Sequence, residues 1–206
     1  AGRKRMVSGC RPANDIPDED FFGAVGALKS GKFVVTITDT VPGILAKYSD
    51  SDAVISTYVA KGRPLDQPMP ILVSCIEQAL QLVEFSEEAA ALAEEHWPGP
   101  LTLVANRLHG PDPVHKGNTL GVRVPDLGWL RLLIDEVGPV TGSSANVHEL
   151  LPENSSGKAA ASLHLTPGYI VSGNSETDVA STVLDVTESE PRVLRLGAVD
   201  ISDQKI

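Results

Sequence analysis

KFVVTITDTVPGILAKYSDSDAVISTYVAKGRPLDQPMP, residues 32–70, is the stretch whose reading organises the rest of the chain. The apolar run Phe33, Val34, Val35 has β-type composition and leads into the polar turn Thr36-Ile37-Thr38-Asp39-Thr40, so a strand is predicted over 33–37. Residues 51–60 form a predicted helix with Val54, Ile55, Tyr58 and Val59 on one face. Lys61-Gly62-Arg63-Pro64 follows, and Pro64, Pro68 and Pro70 forbid continuation of the helix. Two hydroxyls and a carboxylate at a strand end, with two cations spaced i and i+2 at a helix exit, suit a polar, anionic ligand.

Outward from that stretch, helices and strands alternate. Upstream, Pro17-Asp18-Glu19-Asp20 supplies helix-start chemistry before Phe21, Phe22, Val25 and Leu28 recur at helical spacing, and Gly31 is placed to end the helix. Downstream, 71–73 is a predicted strand, and Ile76, Ala79, Leu80 and Val83 mark a helix. Another helix, N-capped by Ser86, runs to about His96 and is stopped by Trp97-Pro98-Gly99-Pro100. Strands at 101–104 and 120–124 flank a Gly/Pro-rich loop that holds His109 and His115. A helix over 127–137 leads to 139–141 and the turn Gly142-Ser143-Ser144-Ala145-Asn146. The last third carries a short helix near 156–163 and strands near 168–172, 181–187 and 192–196. Early alternation with late crowding of strands argues for one α/β domain over 17–206, a twisted mixed sheet with helices packed on it, after an irregular tail over 1–16.

Composition narrows the function. The chain has 206 residues, 42% of them hydrophobic, and shows neither an 18-residue apolar run nor a signal leader, which points to a cytoplasmic protein. Cys10 and Cys75 lie far apart with no CxxC, so free thiols are expected rather than a zinc site or a disulfide. With 17 Lys+Arg against 27 Asp+Glu, the net charge of −10 disfavours a general nucleic-acid binder. Cations therefore inform by position, and Lys61, Arg63, Arg123 and Arg195 each sit in or beside an apolar or Gly/Pro-punctuated run, unlike the N-terminal Arg3-Lys4-Arg5.

Three motif matches fail on their context. Residues 26–32, GALKSGK, have phosphate-loop spacing up to the lysine, but Phe33 stands where Ser or Thr is required and the helix precedes the strand. His148-Glu149 opens like a zincin motif with no second histidine, and no protein metal site is expected. Asn154-Ser155-Ser156 is a sequon that has meaning only in a secreted protein. Lys61 and Arg63 suit either a solvated helix end or an anion site. Residues 142–146 suit either a capped turn or a cradle for phosphate oxygens. Arg123, between Val122 and Val124, projects opposite to two apolar side chains and suits either a sheet rim or a bidentate carboxylate or phosphate contact.

Taken together, TDTVPG, KGRP, WPGPLT, GVRVP, SSAN, STVLD and RVLRLGA, in this order and spacing, resemble the YrdC family, also called YrdC/YciO. The resemblance runs over about 21–199. It implies a YrdC-like fold with a basic cavity, in the short form without an extra C-terminal domain. The implied activity is an L-threonylcarbamoyladenylate synthase, a nucleotidyltransferase that makes threonylcarbamoyl-AMP and pyrophosphate from L-threonine, bicarbonate and ATP for threonylcarbamoyladenosine modification of tRNA. By the same resemblance Lys61 and Arg63 are the catalytic cations, holding ATP phosphates and the carboxylated intermediate. Thr40, Arg123 and Ser181 contact threonine, while Thr119, Ser144, Asn146 and Arg195 contact ATP, with Mg²⁺ bound alongside the nucleotide. Downstream tRNA-modification proteins are the implied partners. The chain departs from the family pattern at Pro42 in place of an aromatic, at Val147-His148-Glu149, at Ala180 and at Leu72. Those departures keep open a diverged YciO-type paralogue, and a third reading is an RNA-interacting or ribosome-associated factor. An aromatic content of 4% and the acidic charge count against the last.

Overall fold

The computed structural model describes residues 16–109, 114, 117–175 and 177–201. Arg3-Lys4-Arg5, Cys10, His115 and the expected tail up to residue 15 lie outside the described residues. In chain order the elements are α1 (Asp18–Lys29), β1 (Val34–Thr36), β2 (Gly43–Leu45), α2 (Ser51–Lys61), β3 (Ile71–Leu72), α3 (Ile76–Ala79), β4 (Val83–Glu84) and α4 (Glu87–His96). There follow β5 (Leu101–Arg107), β6 (Thr119–Arg123), α5 (Gly128–Val137), β7 (Val140–Thr141), β8 (Ser143–Ser144), α6 (Ser156–Ser162), β9 (Tyr169–Ile170), β10 (Thr182–Asp185) and β11 (Arg192–Arg195).

The architecture is mixed α/β, with the strands divided between two sheets. One has four strands in the order β8-β2-β1-β9, and the other runs β11-β10-β5-β6-β3-β7, with β4 paired to β5. Both contain parallel and antiparallel pairs. In the smaller sheet Val34 and Leu45 pack into a cluster with α1 and α5, whereas Val35 and Ile44 pack into another with α2 and α6. Both faces are covered, which explains an unbroken apolar run at 33–35 instead of an alternating one.

One face of the larger sheet packs on α3 and α4, while on its other face Leu72 and Val140 of β3 and β7 pack against α1 and α5. Leu101, Leu103, Ala105, Leu120, Val122, Val124 and Leu184 join Ala79, Ala89 and Ala93 in its core. Their neighbours along the strands, Thr102, Val104, Gly121, Arg123 and Val183, point the other way and line a cavity. Strand periodicity alone thus separates core from site.

The structure corrects several local expectations. The helix anticipated over 76–83 is only four residues long, and Val83 pairs as a strand with Arg107 instead. On α2 the buried residues are Ala53, Val54, Thr57, Tyr58, Ala60 and Lys61, while Ile55 and Val59 are 38% and 53% exposed. The 54–58 row faces the sheet, and the 55–59 row, about 100° further round the helix, does not. Phe22 is likewise exposed on α1, while Val25 and Leu28 are buried. Strands β2 and β8 were not anticipated.

Capping follows the sequence. Ser86 accepts from the Ala89 N–H, and Asp50 does the same for α2, accepting from Ala53 at 3.0 Å. Helix α2 ends at Gly62 in the left-handed region, φ +61°. Replacing Asp50 with alanine is expected to lower stability by about 1 kcal/mol, read as a shift of the urea midpoint at unchanged slope; an unshifted midpoint would contradict this role for the cap.

Candidate active site

The two sheets and the loops between them enclose a cavity of about 440 Å³. Its floor is the face of the larger sheet opposite α3 and α4, at β5, β6 and β10. Its rim comes from the smaller sheet and its turns: Thr38, Thr40, Val41 and Gly43 after β1, and Gly142, Ser143 and Ser144 at β8. The segment after α2 adds Arg63, Pro68, Met69 and Pro70. Among the described residues the charged groups on this wall are Arg63, Arg123, Arg195 and Asp185.

Arg123 is the most constrained of the cations. Only 6% exposed, it donates through Nε to the Gly99 carbonyl at 3.0 Å and through Nη1 to the Thr40 hydroxyl at 3.2 Å. Its Nη2 lies 2.6 Å from an Asp39 oxygen. The second Asp39 oxygen accepts the backbone N–H of Asp126 at 3.0 Å. A guanidinium has five N–H donors; two are engaged in hydrogen bonds by protein, and Nη2 meets Asp39 as an ion pair without hydrogen-bond geometry. Asp39, the carboxylate of the opening motif, therefore serves the arginine.

Gly99 shows why that carbonyl can reach the arginine. A side-chain carbon added there would lie 2.3 Å from the His96 carbonyl oxygen, too close for any other residue without a shift of backbone.

Arg195 donates to the Ser181 carbonyl at 2.7 Å and to the Ser181 hydroxyl at 3.1 Å. Ser181 also lies 3.0 Å, oxygen to oxygen, from the Thr102 hydroxyl. Burial, then repulsion from Arg123 and Arg63, lowers the affinity of Arg195 for its proton. Arg63, also lowered chiefly by burial, donates to the carbonyls of Gln67 and Pro68 at 2.9 and 3.1 Å. Three guanidiniums on one partly desolvated cavity favour an anion over a cation there. Asp185 offsets little of this, because it accepts from Thr187 and Arg192.

Lys61 and Asn146 lie behind the cavity wall. The Lys61 ammonium is buried and donates to the carbonyl of Ser144, to that of Asn146 at 2.7 Å and to the Asn146 side-chain oxygen at 3.5 Å. The Asn146 amide in turn donates to the carbonyls of Val147 and Leu150. Burial, and then the charge of Arg63, push the Lys61 ammonium down to about 8. Thus Thr40, Arg63, Thr119, Arg123, Ser144, Ser181 and Arg195 share one cavity, and Lys61 with Asn146 builds the loop that forms part of its wall.

Of the departures, Leu72 and Ala180 line the cavity. Leu72 is the sheet neighbour of Arg123 and packs where a side chain on Gly142 would otherwise sit, 2.3 Å from its Cγ. Pro42 is buried and its carbonyl accepts the Ala145 N–H at 2.7 Å, so it supports the loop. Thr38, Thr102 and Asp185 were not singled out from sequence as site residues; alternation along 101–104 and 182–185 is the signal that places the last two on the cavity face.

The family profile described as telomere recombination, Sua5/YciO/YrdC, matches residues 26–197. A relative from Mycobacterium leprae is 37% identical over 185 residues, covering 87% of this chain and 83% of the relative. The threonylcarbamoyl-AMP synthase of Pyrococcus abyssi is 35% identical over 185 residues, and the chain spans 54% of its length. The structure of P. abyssi Sua5 complexed with L-threonine superposes with a TM-score of 0.86 at 33% identity, covering 92% of this chain and 57% of that one. Escherichia coli YciO, 20% identical with a TM-score of 0.78 over 91% of this chain and 94% of that one, shares the fold. A profile spanning most of the sequence, with relatives this similar across nearly the whole folded region, establishes that the chain belongs to the Sua5/YciO/YrdC family.

Proposed function

We propose that the chain is an L-threonylcarbamoyladenylate synthase, converting L-threonine, bicarbonate and ATP into threonylcarbamoyl-AMP, pyrophosphate and water. The observation that carries this reading is the convergence of Arg63, Arg123 and Arg195 with the hydroxyls of Thr40, Ser144 and Ser181 on one cavity of a chain whose net charge is −10. The threonine complex of P. abyssi Sua5 supports the choice of amino acid.

The neutral amine of threonine forms an N–C bond to bicarbonate with loss of water, giving a carbamate. A carbamate oxygen then attacks the α-phosphorus, and the bond to the β-phosphate oxygen breaks to release pyrophosphate. Each step brings anions together, so positioned cations and orientation can carry the catalysis without a covalent enzyme nucleophile. Arg123, through terminal N–H groups that protein hydrogen bonds leave unused, takes the threonine carboxylate, and Thr40 and Ser181 flank it. Arg63 and Arg195 face the polyphosphate, and Thr119 and Ser144 contact the nucleotide. Lys61 and Asn146 act by holding the loop that carries Ser144.

Mg²⁺ enters with ATP, where it neutralises phosphate charge. Among the described residues no cluster of three or more His, Cys, Asp or Glu side chains could hold a metal, and the Asp185 carboxylate is engaged by Thr187 and Arg192. Magnesium commonly binds through substrate phosphates and water with few protein ligands. The product is passed to tRNA-modification proteins.

The decisive experiment incubates the pure protein with ATP, Mg²⁺ and bicarbonate, with and without labelled L-threonine. Threonine-dependent pyrophosphate is expected, and its absence at all substrate concentrations rejects the synthase in favour of a diverged paralogue.

Two further outcomes follow from the cations. Arg63→Ala and Arg195→Ala are each expected to lower kcat/KM by at least about tenfold, or ~1.4 kcal/mol. Arg123→Lys should raise the KM for threonine, because an ammonium cannot reproduce a bidentate guanidinium. Full activity in all three variants would refute the assignment.

Lys61 makes the rate pH-dependent. Its proton is present below about pH 8, and its loss as pH rises removes a donor and the charge from the 144–146 loop. An alkaline fall in kcat/KM centred near that value is expected. It should be missing from Lys61→Met; identical profiles in the two proteins would exclude Lys61 as its source.

A further inference from the structure

The hydrogen bonds of the Thr38-Asp39-Thr40 turn can be assigned a direction by counting protons. A threonine hydroxyl has one proton and two lone pairs. Thr38 Oγ1 lies 2.7 Å from the Val41 carbonyl, which can only accept, so the Thr38 proton goes there. The same oxygen accepts the Thr40 backbone N–H at 3.1 Å. It lies 3.0 Å from the Thr40 hydroxyl, and with its proton already committed it must accept there too. Thr40 is therefore the donor in that pair. Thr40 Oγ1 also accepts from Arg123 Nη1 at 3.2 Å. One lone pair, and no proton, remains on Thr40 for the cavity that both threonines line.

We propose that Thr38 is a positioning residue that makes the Thr40 hydroxyl an obligate hydrogen-bond acceptor for the α-amine of the amino-acid substrate. The proposal rests on the synthase reading, in which Arg123 holds the substrate carboxylate. In an α-amino acid the amine and the carboxylate share one carbon. A group bonded directly to the arginine that holds the carboxylate is therefore within reach of the amine.

The polarity matters to the chemistry. When the amine forms its N–C bond to bicarbonate, its lone pair supplies the electrons, and one N–H proton leaves with a hydroxide as water. A hydroxyl donating towards the nitrogen would occupy that lone pair. A hydroxyl that only accepts binds an N–H and leaves the lone pair free. By saturating Thr40's proton, Thr38 removes the unproductive arrangement, its own proton being held by the Val41 carbonyl.

The test is calorimetric titration of wild type, Thr38→Val and Thr38→Ser, with Thr38→Ala prepared in case the valine variant does not fold. The ligands are L-threonine, L-2-aminobutyrate, which lacks the β-hydroxyl, and 3-hydroxybutyrate, which lacks the amine; ATP is titrated separately. Thr38→Val is expected to weaken both amino acids by about tenfold or more while leaving 3-hydroxybutyrate and ATP at wild-type affinity. Thr38→Ser keeps the hydroxyl and should restore amino-acid binding. Unchanged amino-acid affinity in Thr38→Val overturns the proposal. So does a loss confined to threonine, which would assign the contact to the β-hydroxyl, and so does an equal loss for all four ligands, which would mark a purely structural role. A wild-type protein that binds neither threonine nor ATP rejects the synthase reading itself.

Discussion

A buried arginine organises this site. Arg123 joins three segments far apart in sequence: the turn after β1 through Asp39 and Thr40, the loop before β5 through the Gly99 carbonyl, and its own strand β6. Removing a guanidinium from water is costly, and the cost is offset only where its donors meet acceptors in good geometry. Stranding one member of a buried pair typically costs about 3–5 kcal/mol. The contacts of Arg123 therefore select one arrangement of the three segments, and the cavity is what that arrangement encloses. Asp39 neutralises part of the charge, while Nη2 and the facing Asp39 oxygen are buried without a hydrogen-bond partner.

The electrostatics follow from the same frame. The chain as a whole is acidic, yet three of the four charged groups on the cavity wall, among the described residues, are arginines. Arg195 is destabilised in its charged form by Arg123 and Arg63. Such mutual repulsion is a cost in the empty protein and is relieved when a polyanion enters. Long-range repulsion from the acidic surface is screened within about 10 Å at 0.1 M salt, so the local cluster governs what binds once the ligand reaches the mouth. This accounts physically for how a protein of net charge −10 can hold three arginines together on one cavity wall.

How much of this was legible in the sequence depended on how local the signal was. Alternation along 120–124 predicted that Arg123 opposes Val122 and Val124, and the caps at Ser86 and at the end of α2 are where their residue types place them. Strands β2 and β8 escaped notice because they are two or three residues long, and long-range pairing rather than propensity defines them. Ile55 and Val59 misled because helical spacing identifies rows without saying which row meets the sheet. Thr38 and Asp39 stood in the opening motif, yet their roles depend on partners from Val41 to Arg123 that a linear pattern does not reveal.

The separation of Lys61 from Arg63 shows how a small backbone feature divides two similar residues between different tasks. Gly62 adopts φ +61°, a left-handed conformation that closes α2, with the Gly62 and Arg63 N–H groups donating to the Val59 and Tyr58 carbonyls. Lys61 is still helical and lies on the buried side, so its ammonium meets the carbonyls of the 144–146 loop. Arg63 comes after the reversal, bonded to carbonyls of the 67–68 turn, and lines the cavity. As a rigid, always-charged fork, a guanidinium suits the ligand side, whereas a compact ammonium can satisfy several converging carbonyls in a confined space. Arg63 lines the cavity and Lys61 is bonded to the carbonyls behind its wall, the two divided by the single residue type that adopts a left-handed turn at little cost.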